Sequence, residues 1–250
     1  MQGSGPPLLL VMGLGGNIEM WQPLVDALPD FETIAFDAPG TGESEIPRWP
    51  ISMKGLARLT AGLVRALGHR RVDVIGVSYG GAIAQELAYR HPEVVRRMVL
   101  AATAFGVGMV PGKPRALALL STPYRYYSRA HFKSIAPRLY GGRIARQPEL
   151  LERDALSRLG HAPSWRGYAW QLAAIASWSS LPFLHRIRVP VLVLTGDDDP
   201  IVRVVNGRIL AALIPGAQLR VMRGSGHLFL VDEAEESAQL ICKFLGSSGG

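Results

Sequence analysis

A serine set in a tight, glycine-flanked turn is the first feature of this sequence that could do chemistry. The segment Gly76-Val77-Ser78-Tyr79-Gly80 has the form G-x-S-x-G. An apolar, β-branched run ends at Val77, and a run rich in Ala, Leu and Glu follows, which predicts a buried strand leading directly into a helix. Such a turn is strained and exposes the serine hydroxyl at the carboxyl end of the strand, beside the positive amino end of the helix. Ser78 is therefore the candidate nucleophile.

A serine hydroxyl needs a base, and the loop after the last predicted strand offers one. His227 ends the segment Gly-Ser-Gly-His, and an imidazole can take the serine proton and return it to a leaving group. A carboxylate must orient that imidazole, and the loop after the preceding strand holds three candidates, Asp197, Asp198 and Asp199. Pro200 favours extended backbone at Asp199, but spacing alone does not rank the three.

Backbone N–H groups could stabilise the oxyanion that forms during acyl transfer. The candidate donors are Tyr79, directly after the serine, and Leu14, in the glycine-rich loop 13–16 that follows the first strand. Asp37 is another carboxylate at a strand end, and we expect it to organise its own loop by hydrogen bonds. This chemistry requires neither a metal nor a cofactor, and none is predicted.

Strands alternate with helices in the first and last parts of the chain, which predicts a parallel sheet with right-handed crossovers. The ligand site of such a sheet lies at the carboxyl ends of the strands. Ser52 is predicted to cap a helix that reaches Leu67 and is followed by Gly68. The predicted strands lie at 8–12, 32–36, 72–77, 97–102, 190–194 and 217–222, and the other helices at 20–28, 81–89, 206–213 and 233–244.

The alternation stops between residues 105 and 186, where the sequence is helix-like and rich in Tyr, Trp, Leu and Arg. We interpret this segment as a helical cap inserted into a core formed by residues 6–104 and 187–245, with a disordered tail at 246–250. Its aromatic side chains could line a ligand groove or simply pack against the sheet: Tyr124, Tyr126, Tyr127, Trp165, Tyr168, Trp170 and Trp178.

Composition excludes several classes of protein. The 250 residues carry a formal net charge of +7, but the basic residues are scattered and form no aromatic-interleaved stripe, so no nucleic-acid partner is predicted. No apolar run is long enough to span a membrane. Cys242 is the only cysteine; it lies on an apolar helix and is interpreted as core. We expect a cytoplasmic protein.

The sequence resembles the α/β-hydrolase family, in which the triad also follows the order serine, aspartate, histidine. The likeness covers nearly the whole chain and includes Asp37-Ala38-Pro39-Gly40-Thr41-Gly42, the Ser78 turn and Gly226-His227. The resemblance implies a mostly parallel sheet of about six strands, helices on both faces and a cap. It also places the acid at Asp199, a choice that the residues alone leave open.

A closer resemblance is to intracellular poly(3-hydroxyalkanoate) depolymerases of the medium-chain-length type. It is carried by Met109-Val110-Pro111-Gly112-Lys113-Pro114, Leu139-Tyr140-Gly141-Gly142, Trp170-Gln171-Leu172 and Gly226-His227-Leu228-Phe229-Leu230, among other segments. The resemblance implies hydrolysis of ester bonds in an aliphatic polyester or its oligomers. It also implies substrate contacts at Gly13, Met109, Trp170 and Leu228.

The sequence departs from these depolymerases in three places. Tyr79 stands where they usually have Trp, Met12 stands where this branch often has Asn, and the family's usual edge hairpin does not precede the first strand. We therefore expect either a sheet of six parallel strands that includes residues 8–12 or a chain truncated at its amino end.

Other functions remain open at this point. A small-molecule esterase, a carbon–carbon hydrolase or a perhydrolase could use the same triad, and a non-catalytic ligand receptor could keep the same fold. The basic surface and the apolar cap are also compatible with attachment to a hydrophobic granule. The sequence does not indicate an oligomeric state.

Overall fold

Six parallel strands form one sheet in a computed structural model that describes residues 1–150 and 160–246. The strand order is β2-β1-β3-β4-β5-β6, which confirms the predicted six-stranded parallel sheet. The strands are β1 (Pro7–Val11), β2 (Glu32–Ala35), β3 (Val72–Val77), β4 (Val95–Ala101), β5 (Val191–Gly196) and β6 (Gln218–Met222).

The strand order reverses direction between β1 and β3. After β1 the chain moves outward to β2, whereas after β3 it moves to β4 on the other side. The loops that leave β1 and β3 at their carboxyl ends therefore diverge and leave a crevice between them. In the sequence, Leu14 follows β1 and Ser78 follows β3, so both residues lie at this crevice.

The β2 edge of the sheet is partly covered by the first residues of the chain. The N–H of Gln2 donates to the carbonyl of Thr33 at 3.1 Å, and the N–H of Thr33 donates to the carbonyl of Gln2 at 2.8 Å. One antiparallel bridge thus occupies backbone groups of an otherwise open edge.

Helices cover both faces of the sheet, since successive residues of a strand point to opposite faces. Leu9 and Val11 pack in a cluster with α2 (Met53–Ala66) and α3 (Tyr79–Arg90), while Leu8 and Leu10 pack in a second cluster with α1 (Gln22–Asp26) and α10 (Ala234–Gly246). The helices are α1 (Gln22–Asp26), α2 (Met53–Ala66), α3 (Tyr79–Arg90), α4 (Pro114–Leu120), α5 (Arg129–Tyr140), α6 (Gly142–Arg146), α7 (Trp165–Ala176), α8 (Val204–Leu213), α9 (Phe229–Asp232) and α10 (Ala234–Gly246). Short 3₁₀ helices lie at Ile18–Trp21, Pro92–Val94, Tyr124–Tyr126, Pro148–Leu150 and Leu184–Arg186.

Helix boundaries follow local sequence signals. The Ser52 side chain accepts from the N–H of Gly55 at 3.2 Å, and Gly68 follows α2 with a φ of 85°, as predicted. The single helix predicted at 20–28 is wrong: a 3₁₀ helix gives way to α1, because Pro23 has no N–H to continue the hydrogen-bond ladder. The short helix α9 was not predicted.

The segment between β4 and β5 holds α4 to α7 and, in its described part, no strand longer than a single bridge. Phe132, Leu139 and Ile144 from this segment form a cluster with Ile201 and Leu228 from the loops of the core. Residues 151–159 of the predicted cap and 247–250 of the predicted tail lie outside the described residues, whereas Gly246 ends α10.

Two further findings concern predictions made from composition. Cys242 packs at the margin of the second cluster, and its burial raises the pKa of the thiol. In the described residues, no helix is both long enough and apolar enough to cross a bilayer.

Candidate active site

Ser78 occupies a strained turn between β3 and α3. Its φ of 53° and ψ of −116° lie outside the regions favoured by residues with a side chain. Three hydrogen bonds hold this conformation: the Ser78 N–H donates to the Ala101 carbonyl at 2.9 Å, and the Ser78 carbonyl accepts from the Gly81 N–H at 2.9 Å and the Thr103 hydroxyl at 2.7 Å. Strain held in this way is typical of functional sites.

Gly80, two residues after Ser78, allows α3 to approach β1. A Cβ on Gly80 would lie 2.0 Å from the carbonyl oxygen of Val11, so no larger residue fits without a shift of the backbone. This close approach brings the amino end of α3 beside the loop that follows β1.

Asp199 and His227 form a directed, buried pair. His227 Nδ1 lies 2.7 Å from Asp199 Oδ2. The other carboxylate oxygen, Oδ1, accepts from the N–H groups of Ile201 at 2.8 Å and Val202 at 2.9 Å. The His227 N–H donates to the Tyr140 carbonyl at 2.8 Å. The carboxylate is thus fixed on both sides and can hold one imidazole tautomer.

The other carboxylates of the candidate set bond elsewhere. Asp197 accepts from the N–H of Gly224 at 2.6 Å, and Asp198 accepts from the N–H of Gly142 at 2.9 Å. Of the three consecutive aspartates, Asp199 is the one that reaches His227. Asp37 accepts from the N–H groups of Ile18 and Glu43, which is the loop-organising role expected of it.

Two apolar cavities flank Ser78. The smaller, of about 60 Å³, is lined by Met12, Gly13, Leu14, Gly16, Met20, Trp21, Val77, Ser78, Leu120, Arg125, Tyr126, Tyr140, His227, Leu228, Leu230 and Val231. The larger, of about 170 Å³, is lined by Leu14, Ser78, Tyr79, Ala82, Thr103, Ala104, Gly106, Met109, Leu117, Leu120, Leu172, Ile175, Ile201 and Val202. Leu14, Ser78 and Leu120 border both cavities, so a group attached at Ser78 could extend either way.

Ser78 and His227 meet at the smaller cavity. No hydrogen bond joins their side chains among those found in the described residues, and such catalytic contacts are often long before substrate binds. The arrangement can nevertheless place an ester carbonyl between the hydroxyl, the imidazole and the loop of Leu14.

Leu14 and Tyr79, the predicted oxyanion donors, both line the larger cavity beside Ser78. Within the part of the chain that the structure describes, the Leu14 N–H has no hydrogen-bond acceptor. The Tyr79 N–H lies in the first turn of α3, where N–H groups lack an intrahelical acceptor and the helix dipole is positive.

The predicted substrate contacts divide between the two cavities. Gly13 and Leu228 line the smaller and Met109 the larger. Trp170 lines neither, because its indole N–H donates to the Pro47 carbonyl at 3.1 Å on another side of α7. The substrate contact predicted at Trp170 stays a prediction.

Several lining residues were missed by the sequence interpretation. Of the seven aromatic residues that could line a groove, Tyr126 is the one that lines a cavity, and it lines the smaller of the two. Arg125 and Leu172 also line them, and only their proximity to singled-out residues could have drawn attention to them. Among the described residues, no group of three or more His, Cys, Asp or Glu side chains is placed to share a metal ion.

Comparison with known proteins defines the class to which this fold and site belong. The sequence profile described as "alpha/beta hydrolase fold" matches residues 6–234. The chain therefore belongs to the α/β-hydrolase fold family.

Individual relatives narrow the comparison. The chain is 48% identical over 240 residues to a poly(3-hydroxyalkanoate) depolymerase from Ectopseudomonas oleovorans, covering 96% of this chain and 84% of that protein. It is 30% identical to 3-oxoadipate enol-lactonase 2 from Acinetobacter baylyi, covering 94% and 86% respectively. The crystal structure of the enol-lactonase from Burkholderia xenovorans LB400 superposes with a TM-score of 0.83 at 27% identity, covering 98% of this chain and 93% of that one. The predicted resemblance to hydrolases, and to these depolymerases among them, is confirmed.

Proposed function

We propose that this chain is a serine hydrolase that cleaves the ester bonds of aliphatic poly(3-hydroxyalkanoate)-type polyesters or their oligomers through an acyl-enzyme. The observation that carries the proposal is the Asp199–His227 pair, with its 2.7 Å contact, at the cavity where the strained Ser78 lies. The 48% identity to a named depolymerase supports the substrate class.

Each residue of the site has a part in the proposed reaction. His227 takes the proton of Ser78 as its oxygen attacks the ester carbonyl, and Asp199 stabilises the imidazolium that forms. The N–H groups of Leu14 and Tyr79 hold the oxyanion. The carbon–oxygen bond then breaks, and the alcohol leaves with the proton from His227. Water, deprotonated by His227, attacks the acyl-enzyme and releases the acid and Ser78.

The apolar cavities suit the alkyl part of such a substrate. A cavity of about 150 Å³ is large enough to bind benzene in another protein, so the 170 Å³ cavity has room for a medium-length alkyl side chain. Because both cavities open at Ser78, one could receive the side chain and the other the continuing oligoester.

Replacement of Ser78 by Ala tests the mechanism. We expect the variant to lose hydrolysis of p-nitrophenyl octanoate and covalent labelling by a fluorophosphonate. Ser121→Ala is a matched control, because its hydroxyl donates only to the Ala118 carbonyl at an exposed helix end. Unchanged turnover by Ser78→Ala would remove Ser78 as the nucleophile. Intact turnover without labelling of Ser78 would do the same.

A small-ester or lactone hydrolase is the second candidate, favoured by the small cavity volumes and the enol-lactonase relatives. Turnover of a medium-chain polyester emulsion and of soluble p-nitrophenyl esters should be compared at equal enzyme concentration. Release of 3-hydroxy acids from the emulsion supports the polyester function. Activity confined to soluble esters or lactones supports the second candidate.

Attachment to a polyester granule is part of the same proposal. Tyr127 and Trp165 stack with ring centroids 6.0 Å apart and are 44% and 56% exposed on the cap. Aromatic surface of this kind binds apolar surfaces, and the net positive charge adds a salt-sensitive attraction to anionic ones. We expect Trp165→Ala to weaken adsorption to polymer granules without changing hydrolysis of soluble esters; equal adsorption would contradict this part.

A further inference from the structure

The two peptide groups that flank Leu14 contain two carbonyl and two N–H groups. Three of these four groups form hydrogen bonds within the protein. The Gly13 carbonyl accepts from the Gly16 N–H at 3.1 Å. The Leu14 carbonyl accepts from the Tyr126 hydroxyl at 2.8 Å and from Arg125 Nη2 at 3.3 Å. The Gly15 N–H donates to Gln171 Oε1 at 2.8 Å. The fourth group is the Leu14 N–H, which is left without an acceptor in the described part of the chain.

The three side chains that hold the Leu14–Gly15 peptide all come from the segment between β4 and β5. Arg125 and Tyr126 lie on the 3₁₀ helix Tyr124–Tyr126, and Gln171 lies on α7. Arg125 and Tyr126 are each 2% exposed and Gln171 is 4% exposed. We call Arg125, Tyr126 and Gln171 the cap clamp.

Arg125 is not placed there by an ion pair. Among the described residues it contacts no carboxylate; its remaining bonds go to the Thr122 carbonyl at 3.0 Å and to the hydroxyls of Tyr168 at 2.8 Å and Tyr126 at 3.4 Å. The guanidinium also lies over the rings of Tyr126 and Tyr168. Burial lowers the pKa of Arg125, but the neighbouring phenols raise it by a larger amount. The net pKa is raised, and the group stays a cation. Burying a cation without a carboxylate is costly, which indicates a role other than simple stability.

The loop needs such support because of its composition. Gly13, Gly15 and Gly16 surround Leu14, and Gly15 has a φ of 71°, so the backbone alone has little preference for one orientation. The Leu14 N–H belongs to the adjoining Gly13–Leu14 peptide, so a shift of the Leu14–Gly15 peptide would displace the Leu14 Cα that the two peptides share and move this N–H relative to Ser78. The cap clamp binds both polar ends of the Leu14–Gly15 peptide and so fixes the Leu14 Cα, while the hydrogen bond from the Gly16 N–H to the Gly13 carbonyl orients the adjoining peptide.

We propose that Arg125, Tyr126 and Gln171 are positioning residues that aim the Leu14 N–H at the oxyanion. This inference rests on the proposed function. It also means that the segment between β4 and β5 does more than cover the site, because its side chains complete the geometry of a donor that belongs to the core.

Tyr126→Phe is the primary test, because Arg125 still occupies the Leu14 carbonyl in this variant and no buried acceptor loses its last partner. Losing an oxyanion donor outright costs about 10²–10³ in kcat, so partial loss of its orientation should lower kcat for p-nitrophenyl octanoate roughly tenfold. KM should stay within about twofold, since the substrate's ground state does not use this orientation. Tyr124→Phe, which removes a hydroxyl from a half-exposed tyrosine of the same 3₁₀ helix, should match the wild type.

A second readout separates positioning from a loss of structure. The rate of Ser78 labelling by a fluorophosphonate should fall with kcat in Tyr126→Phe, because the phosphoryl oxygen uses the same donors. Gln171→Met removes the other end of the clamp, and the double variant should lose less than the product of the single losses, since both act on one peptide.

The inference fails if Tyr126→Phe keeps the wild-type kcat per labelled serine, or if Tyr124→Phe loses as much. It also fails if KM rises while kcat is unchanged. A wild-type protein that labels at Ser78 but hydrolyses no ester contradicts the proposed function instead, and the labelling rates of the variants then still decide whether the cap clamp positions Leu14.

Discussion

Asp199→Asn replaces one carboxylate oxygen with an amide nitrogen. The structure determines which of these two side-chain atoms faces His227. Oδ1 of Asp199 accepts from two backbone N–H groups, at 2.8 Å from Ile201 and 2.9 Å from Val202. Only the oxygen of an asparagine amide can accept from these groups. The amide nitrogen must then face His227 Nδ1 and donate to it, which puts the imidazole proton on Nε2. In that tautomer His227 cannot take a proton from Ser78.

The loss that follows from a wrong tautomer is large. We expect kcat to fall about 10⁴-fold, equivalent to about 5 kcal/mol of transition-state stabilisation, with little change in KM. Both backbone hydrogen bonds survive, so the free energy of unfolding should change by less than about 1.5 kcal/mol. Turnover of p-nitrophenyl octanoate and urea denaturation measure the two quantities.

Asp198→Asn is the matched control for this experiment. The Asp198 side chain is 47% exposed and accepts from the Gly142 N–H rather than from His227, so we expect at least half of the wild-type kcat. If Asp199→Asn retained more than a tenth of the wild-type kcat, the roles given to Asp199 and His227 would be refuted.

Two further predictions concern stability. Asp73 is fully buried and paired with Arg96, whose Nε donates to it at 2.8 Å; Arg96→Met should lower the free energy of unfolding by about 3 kcal/mol, the lower end of the range for buried pairs because Arg96 is partly exposed. Adding Asp73→Asn should restore part of this loss in urea denaturation, and no restoration would contradict the pairing argument. The Tyr79 hydroxyl is buried without a partner in the described structure, and its burial raises the phenol pKa, so Tyr79→Phe should raise stability at pH 7 by about 1–3 kcal/mol. Above the unfolded pKa of about 10, the wild type should lose up to about 1.4 kcal/mol per pH unit through this phenol, and the variant should decline less steeply; a variant less stable than the wild type at pH 7 would overturn the reasoning.

The sheet and the places of its strand ends could be predicted because they depend on local signals. Apolar runs marked the six strands, and the glycines around Ser78 marked the turn between β3 and α3. In a parallel sheet the carboxyl ends of all strands meet at one edge, so the loops holding Leu14, Ser78 and His227 were bound to converge. The bounds of β3 agree with the prediction to the residue.

The choice among the three aspartates could not be made from local signals. Each of Asp197, Asp198 and Asp199 accepts a backbone N–H from a different loop, and those partners are set by tertiary contacts that spacing does not encode. The family resemblance selected Asp199, and Asp199 is the one of the three that contacts His227.

The directions in which the side chains of α7 point also could not be predicted from the sequence. Consecutive residues of a helix point about 100° apart, so the turn that brings Gln171 to the Leu14 loop and Leu172 to the larger cavity directs Trp170 toward Pro47. The resemblance to the depolymerases had implied a substrate contact at Trp170. The direction of each side chain depends on how α7 docks on the core, which the sequence does not specify.

Arg125 shows how the site depends on the docked segment as a whole. On the sequence it is one of many scattered basic residues, yet it is buried and shares the Leu14 carbonyl with Tyr126. If the 3₁₀ helix Tyr124–Tyr126 moved away to admit a polymer chain, Leu14 would lose both of these donors at once. Hydrolysis would then require the segment to dock again around the bound ester, so substrates that prevent docking should be bound but cleaved slowly.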